Sequence, residues 1–158
     1  MSIPRTIEEL ASPHAWETCR LKQSRLVKGP YKEMARLELS YECKGVEKEL
    51  GMKITFFGGR PPHYPAWVEI HGWDPLLYEK GVLEEALQKL QKLLPRGARV
   101  FLEYSSHAPT RRMLEKGVPP QETPLGQLLL ARGFASPRDL YYPEGYREGG
   151  PKLLAFRT

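Results

Sequence analysis

A carboxylate and a group of hydroxyl and imidazole side chains follow one strongly apolar segment of the chain. Glu103 comes directly after Val100–Leu102, and Ser105, Ser106 and His107 come soon after it. A carboxylate that ends a central strand beside a cleft can act as a general base. Glu103 is therefore a candidate catalytic residue. The alternative is an outward-facing Glu on an alternating strand.

The densest group of polar aromatic and charged residues lies in the segment Tyr141–Lys152. Its glycines allow tight turns and a close approach of the backbone to a ligand. Its basic side chains could pair with a phosphate or a carboxylate. We predict that Tyr142 is a candidate catalytic residue, and that the ligand-binding residues are Glu144, Tyr146, Arg147 and Lys152. The alternative is a hairpin loop whose tyrosines cover the end of a sheet.

The cysteines and histidines do not have the spacing of a metal site. Cys19 and Cys43 are the only cysteines, and we expect both to be reduced, buried thiols. The four histidines are scattered, so no metal is expected; they are His14, His63, His71 and His107.

Several segments have the period of β-strands. Residues 20–28 could form a first strand, and alternation of apolar and polar residues predicts strands over 35–42, 52–57 and 66–72. The last three should form an antiparallel meander. The three prolines of residues 60–65 exclude regular structure there. Later strands are predicted over 98–104, 139–142 and 153–157.

Other segments have helical signals. Leucines at helical spacing predict an amphipathic helix over 81–94, and shorter helices are expected over 6–10, with Thr6 as N-cap, and within 105–117. Thr123, Pro124 and Gly133 supply the cap, first turn and stop of a further helix. The chain is thus an α+β domain with a mixed sheet.

The composition is that of one globular domain. We predict a single domain over residues 1–158, with 1–30 as an N-terminal arm and first strand. The chain has no apolar run long enough to span a membrane and no signal peptide, which predicts a cytoplasmic protein without a membrane partner. The absence of Asn, the scarcity of Asp and the 15 prolines suit a thermophilic habitat.

The charge is moderately basic, because 24 Lys and Arg stand against 19 Asp and Glu, for a net charge of +5. This balance permits anionic ligands without requiring them. Because the basic residues are dispersed, we do not expect nucleic acid as a partner, although Tyr141, Tyr142 and Tyr146 near Arg147 could stack bases. A small-molecule ligand is expected, and an exposed edge strand could support a homodimer.

The order of elements from residue 35 onward resembles the GCN5-related N-acetyltransferase (GNAT) fold, a mixed, mostly antiparallel sheet flanked by helices. The match is sharpest where Pro75 and Gly81 keep the spacing of the family's pyrophosphate-binding loop, which opens a helix. The resemblance implies that acetyl-CoA or another acyl-CoA binds at Tyr78, Lys80, Gly81 and Val82. It also implies a catalytic carboxylate at Glu69, where a surface ladder with His71 is the alternative.

The sequence also departs from the GNAT pattern. Leu83 replaces the second glycine of the loop, Tyr78 replaces a Gln or Arg, and Leu129 replaces a tyrosine general acid. Two hypotheses follow from the resemblance and its departures. The chain is either an acyl-CoA-dependent N-acyltransferase or a non-catalytic ligand-binding module on a degenerate GNAT fold.

A second resemblance is closer and less informative. The Tyr-x-Pro-Glu-Gly…Glu-Gly-Gly-x-Lys pattern of residues 141–152, with 123–126, is similar to the ending of a small family of uncharacterised archaeal and bacterial proteins. That family brings no known activity, so this likeness leaves both hypotheses in place.

Overall fold

The computed structural model describes residues 3–28, 34–58, 67–141 and 150–158. The strands within these ranges are β1 (Arg20–Lys28), β2 (Met34–Glu42), β3 (Leu50–Phe57), β4 (Trp67–His71), β5 (Arg99–Glu103), β6 (Phe134–Tyr141) and β7 (Pro151–Arg157). The α-helices are α1 (Ile3–Ala11), α2 (Leu76–Glu79), α3 (Val82–Leu93), α4 (Ala108–Glu115) and α5 (Pro124–Ala131). Short 3-10 turns cover Pro13–Ala15 and Pro120–Glu122.

The strands form one seven-stranded sheet in the order β1-β2-β3-β4-β5-β7-β6. Neighbouring strands are antiparallel except β4 and β5, which run parallel and are connected through α2 and α3. A parallel pair needs such a crossover because its strands enter the sheet from the same end. The predicted α+β class, mixed sheet and antiparallel meander are confirmed.

Local sequence signals account for several elements. In β2 the alternate residues Leu37, Leu39 and Tyr41 are buried, as the period of two requires. Helix α5 begins as predicted, because the Thr123 hydroxyl accepts a hydrogen bond from the Gly126 N–H at 3.1 Å. Helix α1 was predicted with the wrong cap: it begins at Ile3, so Thr6 is a buried residue within the helix.

One face of the sheet carries the hydrophobic core. Buried side chains from four helices pack there with alternate residues of the central strands; the cluster includes Leu10, Leu77, Leu87, Leu129, Ile54, Ile70 and Leu102. The residues between these positions point to the opposite face, because successive side chains of a strand alternate. Phe101 belongs to that second face and is buried without joining the core cluster. This opposite face, which includes Phe101, is called below the second face of the sheet.

Cys19 and Cys43 form a disulfide, so the expectation of reduced thiols was wrong. Both residues are buried, as expected. Sequence spacing could not reveal the pair, because 24 residues separate the two cysteines. They come together because β1 and β2 form an antiparallel pair in which Arg20, next to Cys19, lies opposite Glu42, next to Cys43.

The predictions differ from the structure at two further places. Strand β6 begins at Phe134, earlier than predicted, and contains an irregularity between Ala135 and Arg138, where Ser136 has a positive φ. A β-bulge of this kind interrupts the alternation by which strands are recognised. The predicted loop before α3 contains the one-turn helix α2. None of the described helices has the length and apolarity to cross a membrane.

Candidate functional site

Cross-strand pairing assembles a polar cluster on the second face of the sheet. Thr55 of β3 lies opposite Glu69 of β4, and Glu103 of β5 lies opposite Lys152 of β7. His71 follows Glu69 by two residues and therefore shares its face. We call Thr55, Glu69, His71, Glu103 and Lys152 the polar centre. Three predicted site residues, Glu69, Glu103 and Lys152, thus come together from three strands.

A buried ion pair lies at the middle of the polar centre. Lys152 Nζ is 3.1 Å from Glu69 Oε2, and the side chains are 1% and 9% exposed. The pair spans β5, which separates the two strands in the sheet. The surface-ladder alternative for Glu69 is wrong, because the residue is buried. Removing either partner would leave a buried charge without its counterion, which typically costs about 3–5 kcal/mol.

His71 is bonded across the sheet to β3. Its Nε2 lies 2.7 Å from the Thr55 hydroxyl, and both residues are buried. A hydroxyl can donate to or accept from an imidazole nitrogen, so Thr55 can accommodate either tautomer of His71. The polar centre therefore contains an oriented imidazole beside the Glu69–Lys152 pair.

Glu103 lies where β4 and β5 end. Its Oε1 accepts a hydrogen bond from the Gly72 N–H at 3.0 Å, and its backbone carbonyl accepts one from Trp73 Nε1 at 2.8 Å. The side chain is half-buried. Its Oε2 lies 3.4 Å from the position that a Cβ on Gly150 would occupy, so the backbone of β7 approaches it closely. A half-buried carboxylate with one backbone donor can still accept further hydrogen bonds or bind a cation.

The predicted cofactor residues lie elsewhere, at the start of α3. Gly81 has φ of +81°, the left-handed conformation expected for a glycine before the helix. Val82 and Leu83 are fully buried core residues. Glu84 and Glu85 place two carboxylates in the first turn of the helix.

The carboxylates at the start of α3 are bonded within the protein. Glu85 accepts hydrogen bonds from the Glu17 and Thr18 N–H groups, each at 2.9 Å, and Glu84 pairs with Arg132. Burial, with a smaller effect of the Glu85 charge, raises the pKa of the Tyr41 hydroxyl well above its ordinary value. Negative charge near a helix N-terminus is favourable in itself, but it opposes a second anion at the same place.

The other two predicted cofactor residues flank this helix start. Lys80 Nζ donates to the Lys44 carbonyl at 3.2 Å. The ring of Tyr78 packs against the ring of His107, with centroids 4.5 Å apart. Tyr78 thus lies in α2, and Lys80 and Gly81 form the junction between α2 and α3, apart from the polar centre.

His107 connects the two regions, a role that sequence reasoning missed. It is buried, its ring centroid lies 6.0 Å from that of Trp73, and its Nδ1 is 2.8 Å from the Thr110 hydroxyl. Burial lowers the pKa of His107, and the Glu79 charge offsets part of this effect. In the sequence, the position of His107 three residues before Thr110, at the start of α4, was the signal from which their hydrogen bond could have been predicted.

The remaining predictions have different outcomes. Tyr142, Glu144, Tyr146 and Arg147 lie outside the described residues, so the polar loop of which they form part stays a prediction. Tyr104 next to Glu103 donates a hydrogen bond to Asp139 at 2.5 Å, and burial together with that bond raises its pKa. Within the described ranges, no group of His, Cys, Asp and Glu could hold a metal ion.

Comparisons with known proteins identify relatives without an assigned function. The chain is 33% identical to a protein of unknown function, AQ1966 from Aquifex aeolicus VF5, whose crystal structure matches with a TM-score of 0.69. The match covers 88% of this chain and 70% of that one. No curated protein matches the chain. Residues 17–158 match the model of a protein family of unknown function, DUF1122. With both matches spanning most of its length, the chain belongs to the DUF1122 family.

Proposed function

We propose that this protein is a GNAT-like, non-catalytic module that binds a small molecule carrying an amino group, with Glu103 as the carboxylate that receives it. The sheet topology supports the GNAT-like part of the proposal. A single parallel pair, β4 and β5, lies within an otherwise antiparallel sheet, and α3 follows β4 behind a left-handed glycine, Gly81. This is the order that the resemblance implies.

The start of α3 carries the argument against acyl-CoA. A pyrophosphate would need free N–H groups and a neutral or positive surrounding at the helix N-terminus. Here Leu83 is fully buried, and the carboxylates of Glu84 and Glu85 occupy the first turn, bonded to Arg132 and to the backbone of the N-terminal arm. The first turn of α3 therefore carries negative charge where the pyrophosphate would bind, which disfavours an acyl-CoA at that place.

The charge of the polar centre supports an amine as the ligand. Glu69 and Lys152 neutralise each other, which leaves the Glu103 carboxylate as the uncompensated charge of the cluster. An ammonium group is complementary to a carboxylate, and the hydrogen bond between them is charge-assisted. Phe101 lies two residues before Glu103 on the same face of the sheet, and its ring packs edge-on against that of Trp67, so an apolar region adjoins the carboxylate.

The first test is a thermal-shift titration with CoA and acetyl-CoA. We expect no increase in Tm at millimolar concentration. A ligand at 100 times its Kd would stabilise the protein by about 2.7 kcal/mol, which such a titration detects readily. Stabilisation by CoA, or acetylation of any amine in the presence of acetyl-CoA, would contradict the proposal.

The second test concerns the amine. Ligand-observed NMR compares tyramine, whose amino group is positively charged, with N-acetyltyramine, in which acetylation removes that charge. We expect tyramine to bind to the wild type and to the control variant Glu115→Gln, whose side chain is exposed on α4. Binding should be lost in Glu103→Gln. Equal binding of the acetylated compound would show that the amino group is not recognised.

A further inference from the structure

One row of cross-strand neighbours on the second face combines aromatic rings with arginine. Phe57 lies opposite Trp67, Trp67 opposite Arg99, and Arg99 opposite Phe156. Arg138 of β6 lies over the Phe156 ring, 5.8 Å from its centroid. We call these five residues the aromatic–arginine row. It crosses four neighbouring strands, with Arg138 on the fifth.

Two rings of the row pack against each other. Phe57 and Trp67 are stacked, with centroids 4.8 Å apart and planes inclined by 27°. Both are half-buried, so part of each remains open to solvent. Cross-strand neighbours on one face are about 5 Å apart, which brings the Trp67 ring and the Arg99 side chain within the span of one nucleotide.

The charge of the row is positive. Arg99 and Arg138 are exposed, and neither forms an ion pair with a residue in the described part of the chain. The acidic residue of the neighbouring row, Glu69, is already paired with Lys152. Strand pairing thus brings Arg99 and Arg138, which are far apart in the sequence, to the same residue, Phe156.

We propose that the aromatic–arginine row binds a nucleotide unit, with the base stacked on the Phe57–Trp67 pair and the phosphate on Arg99 and Arg138. Aromatic rings bind bases by stacking, and arginine binds phosphate through its fork of N–H donors. A positive row complements the phosphate charge. The nucleotide could be free or part of a single strand, and the experiment distinguishes these two sources.

The intrinsic fluorescence of the protein reports the stacking. Trp16 and Trp73 are buried, so a ligand that reaches a tryptophan reaches Trp67. Titration with AMP, with ribose 5-phosphate and with oligothymidylates of increasing length should give quenching with AMP or the oligonucleotides and little with the sugar phosphate. Saturation by AMP indicates a free nucleotide, whereas affinity that increases with oligonucleotide length indicates a single strand.

Two variants and one control test the residues. Trp67→Leu should lower the affinity about 5- to 100-fold, the range found for one stacked base. Arg99→Gln should weaken binding and, for the oligonucleotide, reduce the salt dependence of log K by about 0.7. Arg112→Gln, which removes an exposed charge from α4, should leave that salt dependence unchanged.

Several outcomes would overturn this proposal. They are the absence of quenching by both nucleotide ligands, wild-type affinity in both Trp67→Leu and Arg99→Gln, or equal effects of Arg99→Gln and Arg112→Gln. Circular dichroism checks that each variant is folded. Glu103→Gln should bind nucleotide like the wild type, so that a failure of the amine proposal and a failure of this one are distinguishable.

Discussion

The polar centre and the start of α3 both gather charged side chains, but they use them differently. In the polar centre, Glu69 and Lys152 pair directly inside the sheet, and Glu103 retains a carboxylate with one backbone donor. At the start of α3, Glu85 bonds two backbone N–H groups of the N-terminal arm. The first arrangement keeps a charge for a ligand, whereas the second uses its charge to fasten one segment to another.

The largest expected effect concerns the ion pair of the polar centre. Lys152→Met should lower the free energy of unfolding by about 3–5 kcal/mol, because the buried Glu69 carboxylate would lose its Lys152 counterion. The double variant Glu69→Leu/Lys152→Met should recover most of that loss, since it removes both charges. Urea unfolding measures both. If the double variant is no more stable than Lys152→Met, the coupling between the two residues is not electrostatic.

The next effect concerns the attachment of the arm to the sheet. Reducing the Cys19–Cys43 disulfide, or making the double variant Cys19→Ser/Cys43→Ser, should lower the free energy of unfolding by about 3 kcal/mol. The bond closes a loop between residues 24 positions apart, and without it the unfolded chain has more conformational entropy. Urea unfolding with and without a dithiol measures the loss. A dithiol should have no effect on the serine variant. Equal stability of the oxidised and reduced protein would contradict a stabilising role for the disulfide.

The hydrogen bonds of Glu85 should contribute less to stability than the Glu69–Lys152 ion pair or the disulfide. Glu85→Ala removes two hydrogen bonds to a charged acceptor and should lower the free energy of unfolding by about 2–3 kcal/mol. Amide hydrogen exchange should also become faster at Glu17 and Thr18. Glu47→Ala, at an exposed position, serves as the control. Unchanged exchange at the two amides would mean that Glu85 does not hold the arm.

The smallest effect is the pH dependence due to His107, which lies between the two regions. Its pKa is lowered in the folded state, so folding favours the neutral imidazole. This contribution is complete above the unfolded pKa of about 6.5 and is lost as the pH falls below that value towards the folded pKa. His107→Asn should therefore lose less stability than the wild type between pH 7.5 and pH 5. Parallel pH curves would contradict this.

Much of the fold was predictable because its signals are local. The period of two in β2 and the cap at Thr123 depend on neighbouring residues, and both predictions agree with the structure. The bulged start of β6 and the disulfide were not predictable in this way. A bulge breaks the period that identifies a strand, and the Cys19–Cys43 pair depends on the pairing of β1 with β2.

The candidate site was only partly predictable for the same reason. Glu69, Glu103 and Lys152 were each singled out, but in separate groups, because they lie far apart in the chain. Neither His107 nor Thr55 was assigned a role. A lone threonine on a strand has no distinctive spacing, and the spacing of His107 to Thr110 does not show what else His107 contacts. Their partners, Trp73 and His71, are brought to them by the crossover after β4 and by the β3–β4 register.

The sequence by itself determined the class of fold, the positions of most strands and helices, and the residue types available for chemistry. Periodicity and capping are properties of short segments, so they can be recognised without knowledge of the rest of the chain. Only the tertiary structure decided that Glu69 is buried against Lys152, that Glu84 and Glu85 bond Arg132 and the N-terminal arm, and that Arg99 lies beside Trp67. These facts depend on strand order and register, which bring together residues that no local pattern connects.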